Sequence, residues 1–170
     1  MAVITMRFKI GLFLILFSIF AAAAEKAVIK RIIDGDTISV FSGGKILKIR
    51  LIGIDAPESM ENKKSLRNSN MSGKDIKTII SQGKQAIAFL KTHLKKGDVV
   101  FLEFDIVNHD KYGRTLAYVY LSDGRFLNNL MISSGYASPL TIAPNVKYKD
   151  LFLKSFQTAR ENKIGLWADK

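Results

Sequence analysis

The 170-residue chain is 48% hydrophobic and 24% charged, and it contains no cysteine. That composition suits one domain with a filled core and excludes a largely disordered chain. It also excludes disulfides, an acylated cysteine anchor and cysteine-based zinc, haem or iron–sulfur sites, while two histidines, His93 and His109, are too few for a His-rich metal centre. Against 15 Asp+Glu stand 26 Lys+Arg, a formal net charge of +11, which points to a polyanionic partner, either nucleic acid or an anionic surface.

Residues 1–24 carry Arg7 and Lys9, then an apolar run from Ile10 to Phe20, then Ala21 to Ala24. A basic start, a short apolar stretch and small residues fitting an Ala-x-Ala site predict a secretory signal peptide, cleaved after Ala24. The apolar stretch from 10 to 24 falls short of the roughly 20 residues of a spanning helix. The expectation is export, to the periplasm or the medium, with no stable membrane association after cleavage. Cleavage removes Arg7 and Lys9 and no acid, so 26 − 2 = 24 bases remain against 15 acids. The basic excess therefore belongs to the domain at 25–170.

The runs Ala27–Asp34 and Thr37–Phe41 are β-branched and apolar, split by Asp34-Gly35-Asp36. Ser42-Gly43-Gly44-Lys45 reads as a hairpin turn, and Ile46–Ile54 as a third strand ended before Pro57. Ser59–Gln82 breaks this rhythm and reads as a long, polar, basic loop with one helical turn near Ile76–Ile80. Lys84–Lys96 has helical spacing and ends at Gly97. Strands follow at Val99–Val107 and Arg114–Leu121, around the turn Asp110-Lys111-Tyr112-Gly113. A short helix is predicted over Phe126–Ser134. A longer one is predicted over Lys147–Asn162, where Tyr148, Leu151, Phe152, Ser155, Phe156 and Ala159 form one stripe. Five short strands with helices between and after them suggest a small closed or partly open barrel.

Motifs for a nucleophile elbow, a P-loop, a dinucleotide site and a His-Glu-x-x-His zinc helix are missing from the sequence. What remains is a set of acids and arginines at strand ends: Asp36, Arg50, Asp55, Glu58 and Arg114. An arginine inside the apolar run Ile49–Ile54 is costly to bury unless paired. Asp36 and Asp55, brought together by a meander, would repel, and a hard cation such as calcium or magnesium would relieve them. Each residue also has a plain structural reading. Asp36 and Asp55 fit turn acids, Glu58 a solvated loop acid and Arg114 a surface charge, and Arg50 an ion-pair arginine. His93 and His109 read as surface residues.

Three ordered strings narrow these alternatives: Ile33-Asp34-Gly35-Asp36-Thr37, then Arg50 through Glu58 (RLIGIDAPE), then Asp110 through Val119 (DKYGRTLAYV), with Gly165-Leu166-Trp167 at the end. Together they resemble the staphylococcal nuclease family over about residues 27–167. The resemblance implies a mainly β fold with helices (α+β), an OB-fold made of a five-stranded Greek-key barrel plus three α-helices. It implies a calcium-dependent phosphodiesterase acting on DNA and RNA as a monomer and leaving 3′-phosphate and 5′-hydroxyl ends. By position, Asp36 and Asp55 match the metal-binding carboxylates and Ala56 the residue giving a backbone carbonyl to Ca2+. Arg50 and Arg114 match the arginines on the reacting phosphate, Glu58 the general base, and Lys111 and Tyr112 residues near a terminal phosphate. On this basis Arg50→Lys loses far more activity than stability. Two departures stand out: Leu140 and Ile142 replace base-packing tyrosines, and the 59–82 stretch is longer than the family loop. A non-catalytic nucleic-acid-binding module of the same fold is the alternative reading.

Overall fold

The computed structural model describes residues 24–73 and 75–168; the predicted signal segment, Ala24 excepted, lies outside them. Five strands close into a barrel: β1 (Glu25–Asp34), β2 (Thr37–Ser42), β3 (Lys45–Leu51), β5 (Val99–Glu103) and β6 (Thr115–Leu121). A short fourth strand, β4 (Ile54–Asp55), lies outside the barrel and pairs with β7 (Ser138–Pro139). The barrel order is β1-β2-β3-β6-β5, with β5 returning to β1. Only β3 and β6 run parallel among these pairs; the others are antiparallel. This is the OB arrangement that the resemblance implies.

Alternation of side chains across each strand fills the barrel. Ala27 and Ile29, Ile38 and Val40, Ile49 and Leu51, Val100 and Leu102, and Ala117 and Val119 all point inward and are buried. The third strand stops at Leu51, three residues earlier than its apolar pattern suggests. Gly53 has φ 78°, a left-handed value, and a Cβ there would meet the Phe152 ring at 2.4 Å. The chain therefore turns at this point, and β4 leaves the barrel wall.

Among the described residues there are four α-helices rather than the expected three: α1 (Lys63–Ser72), α2 (Ile76–His93), α3 (Leu127–Ser133) and α4 (Lys149–Glu161). The basic stretch 59–82 is mostly helical, which corrects its reading as a loop, and α2 starts at Ile76 rather than Lys84. Caps explain α1. Asn62 accepts from the backbone N–H groups of Lys64 and Ser65, the Ser65 hydroxyl accepts from Asn62 N–H, and Gly73 ends the helix at φ 68°. Its only buried residue is Ser65, so it lacks the apolar stripe by which sequence reading finds helices. On α2 a stripe exists, at Ile79, Gly83, Ala86 and Leu90. No described helix is long and apolar enough to cross a membrane.

Asn128 on α3 has no exposed surface and joins three parts of the fold. Its Oδ1 accepts from Val119 N–H at 2.9 Å, and its Nδ2 donates to the Ile52 carbonyl at 2.8 Å. Asn128→Leu strands two buried backbone groups, so a loss of about 2–3 kcal/mol is expected. Urea denaturation measures it, and a loss under about 1 kcal/mol would mean that both groups find new partners.

Candidate active site

Turns at one end of the barrel bring the predicted residues together. Asp36 lies in the turn immediately before β2, Arg50 lies opposite Thr37 in the β2–β3 register, and Asp55 ends β4. Arg114 precedes β6, which pairs with β3 at Arg50↔Leu116. All line one groove of about 1140 Å³, together with Asp34, Glu58, Lys63, Lys64, His109, Lys111, Tyr112, Leu140 and Ile142. Ala56 is buried beside them and donates its N–H to Asp36 Oδ2 at 3.2 Å.

Arg50 is the hub. Its side chain is 9% exposed; NH1 donates to the carbonyls of Leu51 (2.8 Å) and Ile54 (2.7 Å). NH2 stands 3.1 Å from both Asp36 Oδ2 and Asp55 Oδ1. One guanidinium thus relieves the repulsion between the two acids and satisfies the carbonyls where β3 turns away. The ion-pair reading of Arg50 is what these contacts show, at a position that lines the groove.

Glu58 is placed by α2. A Cβ on Gly83 would meet the Glu58 carbonyl oxygen at 2.3 Å and its carbonyl carbon at 2.4 Å. Only glycine lets the helix rest on this backbone, so α2 sets the height of Glu58 in the groove. The Glu58 side chain accepts from Asn62 Nδ2 at 2.7 Å and pairs with Lys64 Nζ at 2.6 Å. Burial works to raise the Glu58 carboxyl, but the Lys64 and Asn62 bonds and the Lys64 charge outweigh it and hold the group low.

Arg114 is held by its own turn. Asp110 Oδ1 accepts the backbone N–H groups of Tyr112 and Arg114, and Oδ2 accepts Arg114 Nε at 2.7 Å. No described residue bonds the terminal nitrogens of Arg114, which leaves them open to an anion. Lys111 and Tyr112 are exposed at the tip of this turn, where the Lys111 ammonium and the Arg114 guanidinium flank the Tyr112 ring at 5.2 and 5.7 Å. Asn145 fixes the opposite rim by bonding both backbone groups of Val107, which sets Leu140 and Ile142 along the groove.

Three residues of the site have no role assigned from sequence: Asp34 and Asp110, which lie inside matched strings, and Asn62, in the stretch read as a loop. Lys64 belongs to the same basic stretch, whose Lys63, Lys64 and Arg67 the sequence leaves open as a solvated loop or a contact with an anionic substrate. Burial, joined by the charges of Glu58 and Asp36, pushes Asp34 from its ordinary 3.8 up to about 6. The folded chain therefore keeps a proton there that the unfolded chain loses near 3.8. This contribution to stability is present at low pH and lost as pH rises through about 6. In chelator at pH 8, Asp34→Asn should be more stable than the parent by about 1–2 kcal/mol, allowing for partial solvent screening. The gain should vanish only by about pH 3 and below, under the unfolded-state value of 3.8, where the parent is protonated in both states. Denaturation of both proteins at the two pH values tests this, and an equal difference at each would refute it.

The donor set suits a hard cation. The acids present only oxygen, and cationic nitrogens already gather on Asp36 and Asp55. Among the described residues no three His, Asp or Glu side chains form a ready metal cage. The chain's share would be two carboxylates and the Ala56 carbonyl, with water and phosphate completing the shell.

The family model described as "Staphylococcal nuclease homologue" matches residues 48–169, which include Arg50, Asp55, Glu58 and Arg114. A thermonuclease from Staphylococcus intermedius is 36% identical over 143 residues, 84% of this chain and 76% of that protein. A thermonuclease from Staphylococcus hyicus is 34% identical over 82% of this chain and 73% of its own. The SPbeta prophage-derived endonuclease YokF of Bacillus subtilis is 33% identical over 81% of this chain, but over only 42% of its own length. The family model and the staphylococcal relatives, matched along most of a chain whose barrel gathers these arginines and acids into one groove, show that it belongs to the staphylococcal nuclease family.

Proposed function

We propose that this groove hydrolyses phosphodiester bonds in DNA and RNA with calcium bound, leaving 3′-phosphate and 5′-hydroxyl ends. The carrying observation is the meeting of Asp36, Asp55, Glu58, Arg50 and Arg114 in one groove of a chain with a basic excess. Arg114 meets the equatorial phosphoryl oxygens through its open terminal nitrogens, in a planar fork that lysine cannot copy. Arg50 supplies positive charge at the strand end and keeps Asp36 and Asp55 facing the same point. Glu58 accepts the proton of the attacking water. Lys111 and Tyr112 meet a terminal phosphate at the groove mouth. Calcium, held by Asp36, Asp55 and the Ala56 carbonyl, would screen the phosphate charge. Leu140 and Ile142 give the base an aliphatic rim rather than an aromatic platform, which favours weak sequence and base preference.

The test is incubation of the purified protein with single-stranded DNA and RNA in calcium, in magnesium and in chelator, followed by mapping of product ends. Calcium-dependent cutting with 3′-phosphate ends is the expected result. Binding without cutting in any metal would replace this reading with the non-catalytic module. We also propose export, on the strength of the 1–24 segment, with an exported form beginning at Glu25 as the expected product, and a monomer as the working state.

A further inference from the structure

We infer that Lys64 is a tethered cation that fills the space between Asp55 and Glu58 until a divalent ion displaces it, so that metal loading releases the first turn of α1. The inference rests on the proposed metal reading of Asp36 and Asp55. Lys64 Nζ stands 2.9 Å from Asp55 Oδ1 and 2.6 Å from Glu58 Oε1. Asp55 Oδ1 thus already accepts from two cationic groups, Lys64 and Arg50. A calcium ion needs its oxygen ligands at about 2.3–2.6 Å, which sets it against whichever cation already holds that oxygen. The ion and the two cations then compete for one carboxylate, and the less firmly held cation gives way first.

Arg50 is the fixed one. It is buried, and its NH1 is tied to two backbone carbonyls. Lys64 is the movable one. Its side chain is 41% exposed, on a flexible stem, in a helix whose only buried residue is Ser65. The first turn of α1 is anchored to the site by the Lys64 pairs and by Asn62 Nδ2 on Glu58 Oε2. Withdrawal of the ammonium removes the charged part of that anchor and exposes Glu58 Oε1 to the groove. The displaced ammonium stays within a groove it shares with Arg114, where a substrate phosphate offers it a new partner.

Calorimetric titration of calcium into the chelator-stripped protein tests this with two variants. Lys64→Gln removes the competing ammonium and should bind calcium about tenfold tighter than the parent. Lys63→Gln removes an equal charge from the neighbouring exposed position, so its affinity should stay within about threefold of the parent, a screened field effect. Lys64→Met keeps the stem and should repeat the gain. Hydrogen exchange gives the second readout: in the parent, calcium should speed exchange in the first turn of α1. In Lys64→Gln that turn should already exchange fast and respond little to calcium. Equal affinity in the two glutamine variants, or exchange in α1 indifferent to calcium, overturns the inference and leaves the metal reading standing. No calcium binding by the parent or any variant overturns the metal reading itself, and the inference with it.

Discussion

Replacing Arg114 by alanine should slow phosphodiester cutting by about 10²–10³-fold, the usual loss when one donor to a developing oxyanion is removed. The fold should change by no more than about 1 kcal/mol, because the pair broken is partly solvated. The Arg114 side chain is 31% exposed and gives the protein a single side-chain bond, from Nε to Asp110. The turn itself survives the substitution. Asp110 Oδ1 still accepts the backbone N–H groups at 112 and 114, and Gly113 N–H still donates to the Asp110 carbonyl. Arg114→Lys should recover little, since an ammonium cannot meet two phosphoryl oxygens in one plane. The measurements are kcat/KM on single-stranded DNA and a urea midpoint for each variant. A rate within about threefold of the parent would falsify the assignment of Arg114 to the phosphate.

Much of this arrangement is legible in the sequence, and the misses have physical causes. The barrel strands show because each buries one face and exposes the other, which writes period two into the chain. The site acids and arginines show as charges at strand ends, each with a plain structural reading, and the resemblance of the three strings is what sorts them into a site. Helix α1 does not show, because nothing apolar marks it. Asn62, Ser65 and Gly73 carry the helix ends, and such capping residues look like loop residues when no periodic stripe lies between them. Missing α1 also left Lys64 undistinguished from Lys63 within one basic stretch; only the helical geometry turns one inward and leaves the other exposed. Asp34 was hidden for a different reason. Its environment is made by Glu58, twenty-four residues on, and by burial, neither of which is a local property.

Arg50→Met should give the largest stability loss, about 3–5 kcal/mol, as expected when one side of a buried ion pair is removed. The variant leaves the Leu51 and Ile54 carbonyls without their donor and sets Asp36 against Asp55 with no guanidinium between them. Sequence reading placed the cost of an Arg50 change mainly in rate. The four partners add a cost in folding, and Arg50→Lys shares it, since one ammonium cannot span two carbonyls and two carboxylates. Pairing Arg50→Met with Asp36→Asn should recover part of the loss by removing one of the stranded charges, giving a coupling energy of about 1–3 kcal/mol in a double-mutant cycle. Denaturation in chelator measures all three variants, and a loss under about 1 kcal/mol for Arg50→Met would show that the cluster is solvated rather than sealed. A drop in cutting for any Arg50 variant therefore mixes a lost phosphate contact with a loosened strand end. Arg114, whose protein partners are few, is the arginine on which the two can be separated.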